Sequence, residues 1–138
     1  MVKFFISVLE KIESSGARLQ NSLATVRWNI DKIYLQSLAE HDICIVPTLW
    51  HKNFSNDDLE YFFDHFNCQQ LVIKPRISAN ADNTFWLKKE TAEQFSSQLK
   101  TVFSDNEFIV QPFISSVIEE VILIKYIFIT FLIFAAKL

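Results

Sequence analysis

The sequence predicts an α+β domain, a mixed α/β fold in which helices pack against a sheet. Apolar residues recur at helical spacing in several segments, and short apolar runs between them end at proline or at polar residues, as strands do. Half of the 138 residues are hydrophobic, which is enough to form one sizeable core in a chain of this length.

Two helices are predicted in the N-terminal third. The first ends near Gly16, and its apolar positions are Phe5, Val8, Leu9 and Ile12. Residues 17–26 are expected to form a connector or a short strand, and a second helix is expected to begin at Asn29. Lys32 would then lie in a first helical turn, where its charge opposes the helix dipole. A bound anion would relieve that conflict, although an exposed lysine also tolerates the position.

The middle of the chain predicts a strand followed by a helix. Residues 43–46 read as a short buried strand that Pro47 ends, and both cysteines, Cys44 and Cys68, are expected to be reduced, buried thiols without metal-binding spacing. The polar residues 55–58 then begin a helix whose apolar stripe faces the core. That stripe consists of Leu59, Phe62, Phe63 and Phe66.

The central feature of the sequence is the change from an apolar run to a polar loop at Lys74-Pro75. Residues 71–73 predict a strand buried on both faces, and a lysine at its end needs an anionic partner such as a phosphate if it is buried. The loop from Ser78 to Thr84 and a further strand from Phe85 complete a hairpin that could close over a nucleotide. The alternative is a strand that simply ends in solvent.

The remaining elements are a helix, a strand and an apolar tail. Residues 91–94 have capping-box spacing before a helix with Phe95, Leu99, Val102 and Phe103 as its apolar positions, and residues 107–113 predict a strand. Residues 119–138 form the tail. Its apolar run, 121–136, is shorter than the roughly 20 residues of a spanning helix and contains Lys125. It could be a strand, or it could contact a membrane or a partner chain.

Charge and histidine placement exclude several functions. The net charge of −3 and the absence of a basic stripe argue against nucleic-acid binding. No signal peptide is evident, so a cytoplasmic location is expected. The three histidines lie in separate segments without a paired nucleophile, which argues against a small histidine-dependent enzyme.

Four short motifs in order resemble the ATP-grasp ligase family, in particular glutathione synthetase and the cyclo-ligase of cycloserine biosynthesis. The motifs are residues 27–35 (RWNIDKIYL), 46–48 (VPT), 72–75 (VIKP) with the polar loop through 82–84 (DNT), and 110–114 (VQPFI). The resemblance covers roughly residues 4 to 118 and implies the first nucleotide-binding lobe, so residues 1–118 are expected to form a partial ATP-grasp lobe.

The resemblance implies ATP as the ligand and assigns roles to seven residues. Lys32 and Lys74 are expected near the phosphates, with the loop that begins at Ser78 above them. The backbone of residues 111–114 is expected to receive adenine; these residues are Gln111, Pro112, Phe113 and Ile114. The family activates a carboxylate as an acyl phosphate, which an amine then attacks. A point charge such as lysine suits phosphate oxygens, and an apolar strand suits a purine.

The sequence also departs from the family pattern. The loop from Ser78 to Thr84 lacks glycine. The substrate domain that precedes this lobe in the family is expected to be missing from this chain, and the family's magnesium ligands are not expected after Ile118. Mg²⁺ is expected in full-length relatives but no metal ligands are assigned here. We therefore expect an ATP-binding fragment of a carboxylate–amine ligase that is not catalytic alone. The alternative is a non-enzymatic interaction module whose tail contacts a partner or a membrane.

Overall fold

A computed structural model of the chain describes residues 2–78 and 81–115, which form α-helices and an antiparallel sheet. The helices are α1 (Val2–Ser14), α2 (Leu23–Asn29), α3 (Tyr34–Glu40), α4 (Asp58–Phe66) and α5 (Ser96–Phe103), with a 3₁₀ turn at Ala92–Phe95 before the last. The strands are β1 (Leu49–Lys52), β2 (Gln70–Pro75), β3 (Phe85–Lys88) and β4 (Glu107–Pro112). The predicted α+β fold class is confirmed.

The four strands form one sheet in the order β1-β4-β2-β3, and each neighbouring pair is antiparallel. The predicted hairpin around Lys74-Pro75 is confirmed, since β2 and β3 pair with Ile73 opposite Phe85. Strand β4 lies between β1 and β2, with Val110 opposite both Leu49 and Ile73. The C-terminal end of β2 and the N-terminal end of β4, the two central strands, therefore lie side by side at one end of the sheet.

The hydrophobic core lies between one face of this sheet and helices α4 and α5. Alternate residues of a strand point to opposite faces, so each strand contributes every second residue to the core. The helices add their predicted apolar stripes, and Phe62 and Leu99 are both fully buried. The principal core residues are Leu59, Phe62, Phe63, Leu71, Ile73, Phe85, Leu87, Leu99, Phe103, Phe108 and Val110. Phe66 and Phe95, also predicted inside, are only partly buried against this core.

The opposite face of the sheet carries the other half of each strand. Val72 and Lys74 of β2 lie beside Gln111 and Ile109 of β4 respectively. On the hairpin side, Trp86 lies opposite Val72. Val72 is thus only partly buried, and the prediction that the strand is buried equally on both faces is wrong in this detail. A lysine on this face lies away from the phenylalanine-rich core.

The predicted helix from Asn29 is wrong in its boundaries. Helix α2 begins earlier because the Ser22 hydroxyl accepts a hydrogen bond from the Thr25 N–H at 3.1 Å, and it ends at Asn29. Asp31 then pairs with Ile77 as an isolated β-bridge, which interrupts the helical pattern before α3. Residues 17–26 are consequently not a simple connector, and Lys32 precedes a helix rather than lying in its first turn.

The predicted strand at residues 43–46 is also wrong. Strand β1 begins only at Leu49, and Ile43 is half-exposed. The preceding segment is used to end α3, because Asp42 adopts a left-handed conformation (φ 58°) and the Ile43 N–H donates to the Leu38 carbonyl at 3.0 Å. The prediction of two buried thiols fails with this strand, since Cys44 is exposed and Cys68 is partly buried.

Of the two helix N-termini predicted near residues 55 and 91, only the first is supported by a side-chain hydrogen bond. The Ser55 N–H donates to the Asp58 carboxylate at 2.7 Å, which supports the start of α4 as predicted. Thr91 makes no side-chain capping bond, and the 3₁₀ turn separates it from α5. The capping box predicted at residues 91–94 is therefore not formed, although the helix that follows is present.

Helix α1 forms as predicted and ends before Gly16, which has a positive φ of 82°. None of its residues is fully buried, and Phe4 is 74% exposed. Within residues 2–78 and 81–115, no helix is both long and apolar enough to cross a membrane. The apolar run 121–136, and with it the predicted tail 119–138, lies outside the described residues.

Candidate functional site

Lys32 lies in the turn between α2 and α3 and reaches across to the end of β2. Its backbone N–H donates to the Arg76 carbonyl at 3.0 Å, and its ammonium donates to the same carbonyl at 3.3 Å and to the Ser78 hydroxyl at 2.9 Å. An ammonium has three donors, so two of them are used by these protein acceptors. Two of the predicted site residues, Lys32 and Ser78, are therefore in direct contact.

An ion-pair network holds this part of the chain together. The Arg76 guanidinium pairs with the Asp31 carboxylate, with Nε 2.9 Å from Oδ1 and 3.1 Å from Oδ2, and its Nη1 also pairs with Glu107. Glu107 in turn accepts from Lys52 Nζ at 2.6 Å. The hydrogen bond from Lys52, aided by the charge of Arg76, holds the pKa of Glu107 below its usual value. The network joins the α2–α3 turn to the ends of β1, β2 and β4.

Lys74 lies on the sheet face opposite the core and close to Lys32. Burial lowers the pKa of Lys74, and burial followed by the positive charge of Lys74 lowers the pKa of Lys32, with Asp31 acting in the opposite direction. No ion pair among residues 2–78 and 81–115 involves Lys74. Two partly buried ammonium groups that repel each other form a local excess of positive charge.

Residues 111–114 follow the same strand away from the lysines. Gln111 is opposite Val72, two residues along β4 from the residue opposite Lys74, so it lies roughly 7 Å along the strand from that position. Its side-chain amide donates to the Thr48 hydroxyl at 2.8 Å, and Phe113 N–H donates to the Gln70 carbonyl at 2.9 Å. Pro112 ends the strand, and Ile114 is 40% exposed.

An aromatic pair borders this end of the sheet. Trp86 and Phe113 stack with ring centroids 4.5 Å apart and an interplanar angle of 16°. The Trp86 indole N–H donates to the Gln70 side chain at 2.9 Å, which fixes the orientation of the ring. Trp86 is still 49% exposed, so one end of the face that bears Lys74 is apolar while the other is cationic.

The described residues offer no metal site. Among residues 2–78 and 81–115 there is no group of three or more histidine, cysteine or acidic side chains placed to hold an ion. Asp31, whose charge acts on Lys32, is paired with Arg76, and so is Glu107. Magnesium therefore does not fit this part of the chain.

Solved structures of other proteins have a similar fold. The crystal structure of the D-cycloserine synthetase DcsG superposes with a TM-score of 0.64 and 25% sequence identity over 83% of this chain. The chain shares the fold of the ATP-grasp enzymes. A RimK domain ATP-grasp protein from Sphaerobacter thermophilus also matches, with a TM-score of 0.61 and 18% identity over 79% of this chain.

A third ATP-grasp relative in fold is the D-alanine-D-alanine ligase from Coxiella burnetii, with a TM-score of 0.50 and 17% identity over 62% of the chain. The chain spans only 40%, 41% and 26% of the length of these three proteins, in the order given. No family model and no curated protein matches the sequence. The suspected resemblance to the ATP-grasp family is thus confirmed by structure, over part of each relative.

The ATP-grasp fold brings the predicted residues into two groups. Lys32, Lys74 and Ser78 meet at one end of the sheet, and residues 111–114 lie at the other end of the same strand pair. Sequence reasoning missed Arg76 and Asp31, which orient the first group, and Thr48, which binds Gln111. No local pattern in the sequence links Arg76 to Asp31, which lies 45 residues away.

Proposed function

We propose that this chain binds ATP as the first nucleotide-binding lobe of an ATP-grasp carboxylate–amine ligase. The phosphates would lie against Lys32 and Lys74, and adenine against residues 111–114. The observation that carries the proposal is the place of Lys32, whose ammonium donates to the Arg76 carbonyl and the Ser78 hydroxyl just after β2. Burial, followed by the positive charge of Lys74, lowers the pKa of Lys32, so two ammonium groups lie near each other here. The negative charges of a bound polyphosphate would offset the repulsion between the two ammonium groups and stabilise both in their charged form.

The hydrogen-bond geometry of the two lysines supports this placement. Lys32 uses two of its ammonium donors on Arg76 and Ser78, which leaves one donor for a ligand oxygen. Lys74 lies opposite Ile109 on the face away from the core, and its positive charge acts on Lys32, so one polyphosphate could contact both ammonium groups. Ser78 begins the loop that would close over the phosphates.

The backbone after β4 offers a complementary edge for a purine. In an antiparallel ladder the N–H and C=O groups of successive residues alternate between the two sides of the strand. Phe113 N–H donates to the Gln70 carbonyl of β2, and the pairing of β4 with β1 ends at Val110. If the alternation continues beyond Pro112, where β4 ends, the Pro112 carbonyl and the Ile114 N–H would point to the side of β1. One acceptor and one donor at this spacing suit the amino group and a ring nitrogen of adenine.

Acyl-phosphate formation is proposed only for a protein that contains the whole ATP-grasp unit. Phosphoryl transfer depends on magnesium, and the described residues provide no fitting ligand set. The residues seen here bind and orient the nucleotide, with Lys32 and Lys74 neutralising phosphate charge. The acid and amine substrates would be contacted elsewhere.

The alternative function, an interaction module that contacts a partner or a membrane, depends on residues 121–136. That segment lies outside the described residues, and the alternative stays a prediction together with the cytoplasmic location. Unlike the first proposal, this alternative requires no affinity for nucleotides.

The test is a calorimetric titration of the full chain with ATP, compared between the native protein and Lys74→Met. Loss of a charge-assisted hydrogen bond should weaken binding by about 1.5–3 kcal/mol, or roughly 10- to 150-fold. Lys100→Met is the matched control, because Lys100 is exposed on α5 and lies away from the site. Absence of ATP binding, or equal loss in both variants, would refute the proposed function.

A further inference from the structure

We infer that Arg76 is a positioning residue that holds Lys32 and Ser78 in place for the ligand without contacting the ligand itself. Its guanidinium pairs with Asp31 on one side and with Glu107 on the other. The inference deepens the proposed function and rests on it where nucleotide affinity is concerned. Its structural part, the docking of the α2–α3 turn, can be tested without any nucleotide.

Two of the three guanidinium nitrogens of Arg76 are engaged by carboxylates of the protein. Nε lies within hydrogen-bond distance of both Asp31 oxygens, and Nη1 pairs with a Glu107 oxygen. The Arg76 backbone is also used, since its N–H donates to the Glu107 carbonyl at 3.0 Å. A cation neutralised by two carboxylates attracts phosphate poorly, so its role differs from that of Lys32 and Lys74.

The backbone carbonyl of Arg76 is the point to which the turn is attached. Both the N–H and the ammonium of Lys32 donate to this carbonyl. The adjacent residues, Asp31 before Lys32 and Ile77 after Arg76, pair as an isolated β-bridge. The hydroxyl of Ser78, two residues after Arg76, accepts a further hydrogen bond from the Lys32 ammonium. If the turn moves away from the strand end, the lysine ammonium and the loop hydroxyl separate together.

Electrostatics explain why arginine matters at this position. Without the guanidinium, the carboxylates of Asp31 and Glu107 would repel each other across the turn, and Asp31 already opposes the ionisation of Glu107. The planar guanidinium can contact two carboxylates at once, whereas an uncharged side chain cannot. The repulsion between the two carboxylates would then move the α2–α3 turn, which carries Lys32, away from the end of β2.

The first arm of the test measures backbone hydrogen exchange of the full chain without ligand. Arg76→Met should accelerate exchange of the Lys32 amide by about tenfold or more, while amides in the α4 and β4 core keep their rates. Asp31→Asn provides a milder variant with the same expected direction. Lys52→Met is the matched control, because it removes the outer partner of Glu107 but leaves the Arg76–Asp31 pair intact. Unchanged Lys32 exchange in Arg76→Met and Asp31→Asn would overturn the inference.

The second arm measures ATP affinity in a double-mutant cycle. Arg76→Met should raise the Kd by about tenfold in the native background, but by less than about twofold when Lys32 is already Met. Independent, additive losses would overturn the inference and indicate that Arg76 binds the ligand directly. If the native protein does not bind ATP, the proposed function fails, and the exchange arm alone decides whether Arg76 holds the turn.

Discussion

The ammonium of Lys32 donates a hydrogen bond to the hydroxyl of Ser78 at 2.9 Å, across 46 residues of sequence. This contact joins the α2–α3 turn to the loop of the β2–β3 hairpin. The two segments have no common helix or strand, so a few polar contacts fix the geometry of the predicted phosphate end. The contact is therefore a sensitive point for mutation.

Ser78→Ala should destabilise the folded protein by about 1.5 kcal/mol, because a hydrogen bond from a charged donor is lost in a partly buried position. Chemical denaturation of the full chain measures the change. Ser97→Ala is the control, since Ser97 is exposed on α5 and should change stability by less than about 0.5 kcal/mol. Equal stability of both variants would show that the Lys32–Ser78 contact is unimportant.

The lowered pKa of Lys74 makes stability depend on alkaline pH. Burial holds this pKa below the unfolded value of about 10.4, so the unfolded chain binds more protons between the two values. The free energy of unfolding attributable to Lys74 should thus rise as the pH increases through that window, and stay constant below it. Denaturation of the native protein and of Lys74→Met across this range measures the effect.

The difference between these two proteins isolates Lys74 from tyrosines and other groups that titrate at high pH. We expect Lys74→Met to be more stable relative to the native protein at neutral pH than at high pH. A difference that is independent of pH, or that grows as the pH rises, would contradict the buried position of the ammonium.

Phe62→Ala should destabilise the protein by about 3–5 kcal/mol, because the side chain is fully buried between α4 and the sheet and its removal leaves a cavity. Phe4→Ala makes the same chemical change on α1, where the ring is 74% exposed, and should cost less than about 0.5 kcal/mol. Thermal and chemical denaturation measure both. Similar losses at the two positions would contradict the arrangement of the core.

The two cysteines should react at different rates. Cys44 is exposed, whereas Cys68 is partly buried, donates to the Gln70 carbonyl at 3.3 Å and has its pKa raised by burial. Because the thiolate is the reacting form, alkylation at neutral pH should be at least about tenfold faster at Cys44. Mass spectrometry of single-cysteine variants gives both rates, and faster labelling of Cys68 would be inconsistent with the fold.

The strongly periodic parts of the chain could be predicted from sequence. The Phe62 stripe of α4, the Leu99 stripe of α5 and the β2–β3 hairpin around Lys74 are present because local pattern and tertiary burial favour the same structure. The resemblance to the ATP-grasp family rested partly on such an element, since its motif at residues 72–75 lies in β2, whereas its motif at residues 46–48 lies outside any helix or strand.

The segment from Ser22 to Leu49 shows where sequence reasoning failed. Asp31 binds Arg76, which lies 45 residues away just after β2, and it forms an isolated β-bridge with Ile77. These long-range contacts interrupt what would otherwise be one helix. The apolar residues around Ile43 resemble a strand, but Pro47 lacks an N–H for pairing and the segment instead ends α3. No local pattern reveals that Arg76 requires Asp31 and Glu107 as partners.

The most direct test of the nucleotide site is an NMR titration of the ¹⁵N-labelled full chain with ATP. We expect the largest amide shift changes at Lys32, Lys74 and Ser78, and at Phe113 and Ile114, with little change at Phe62 and Leu99 on the opposite side of the sheet. Shifts confined to the α4 and α5 side, or no shifts at millimolar ATP, would contradict the account.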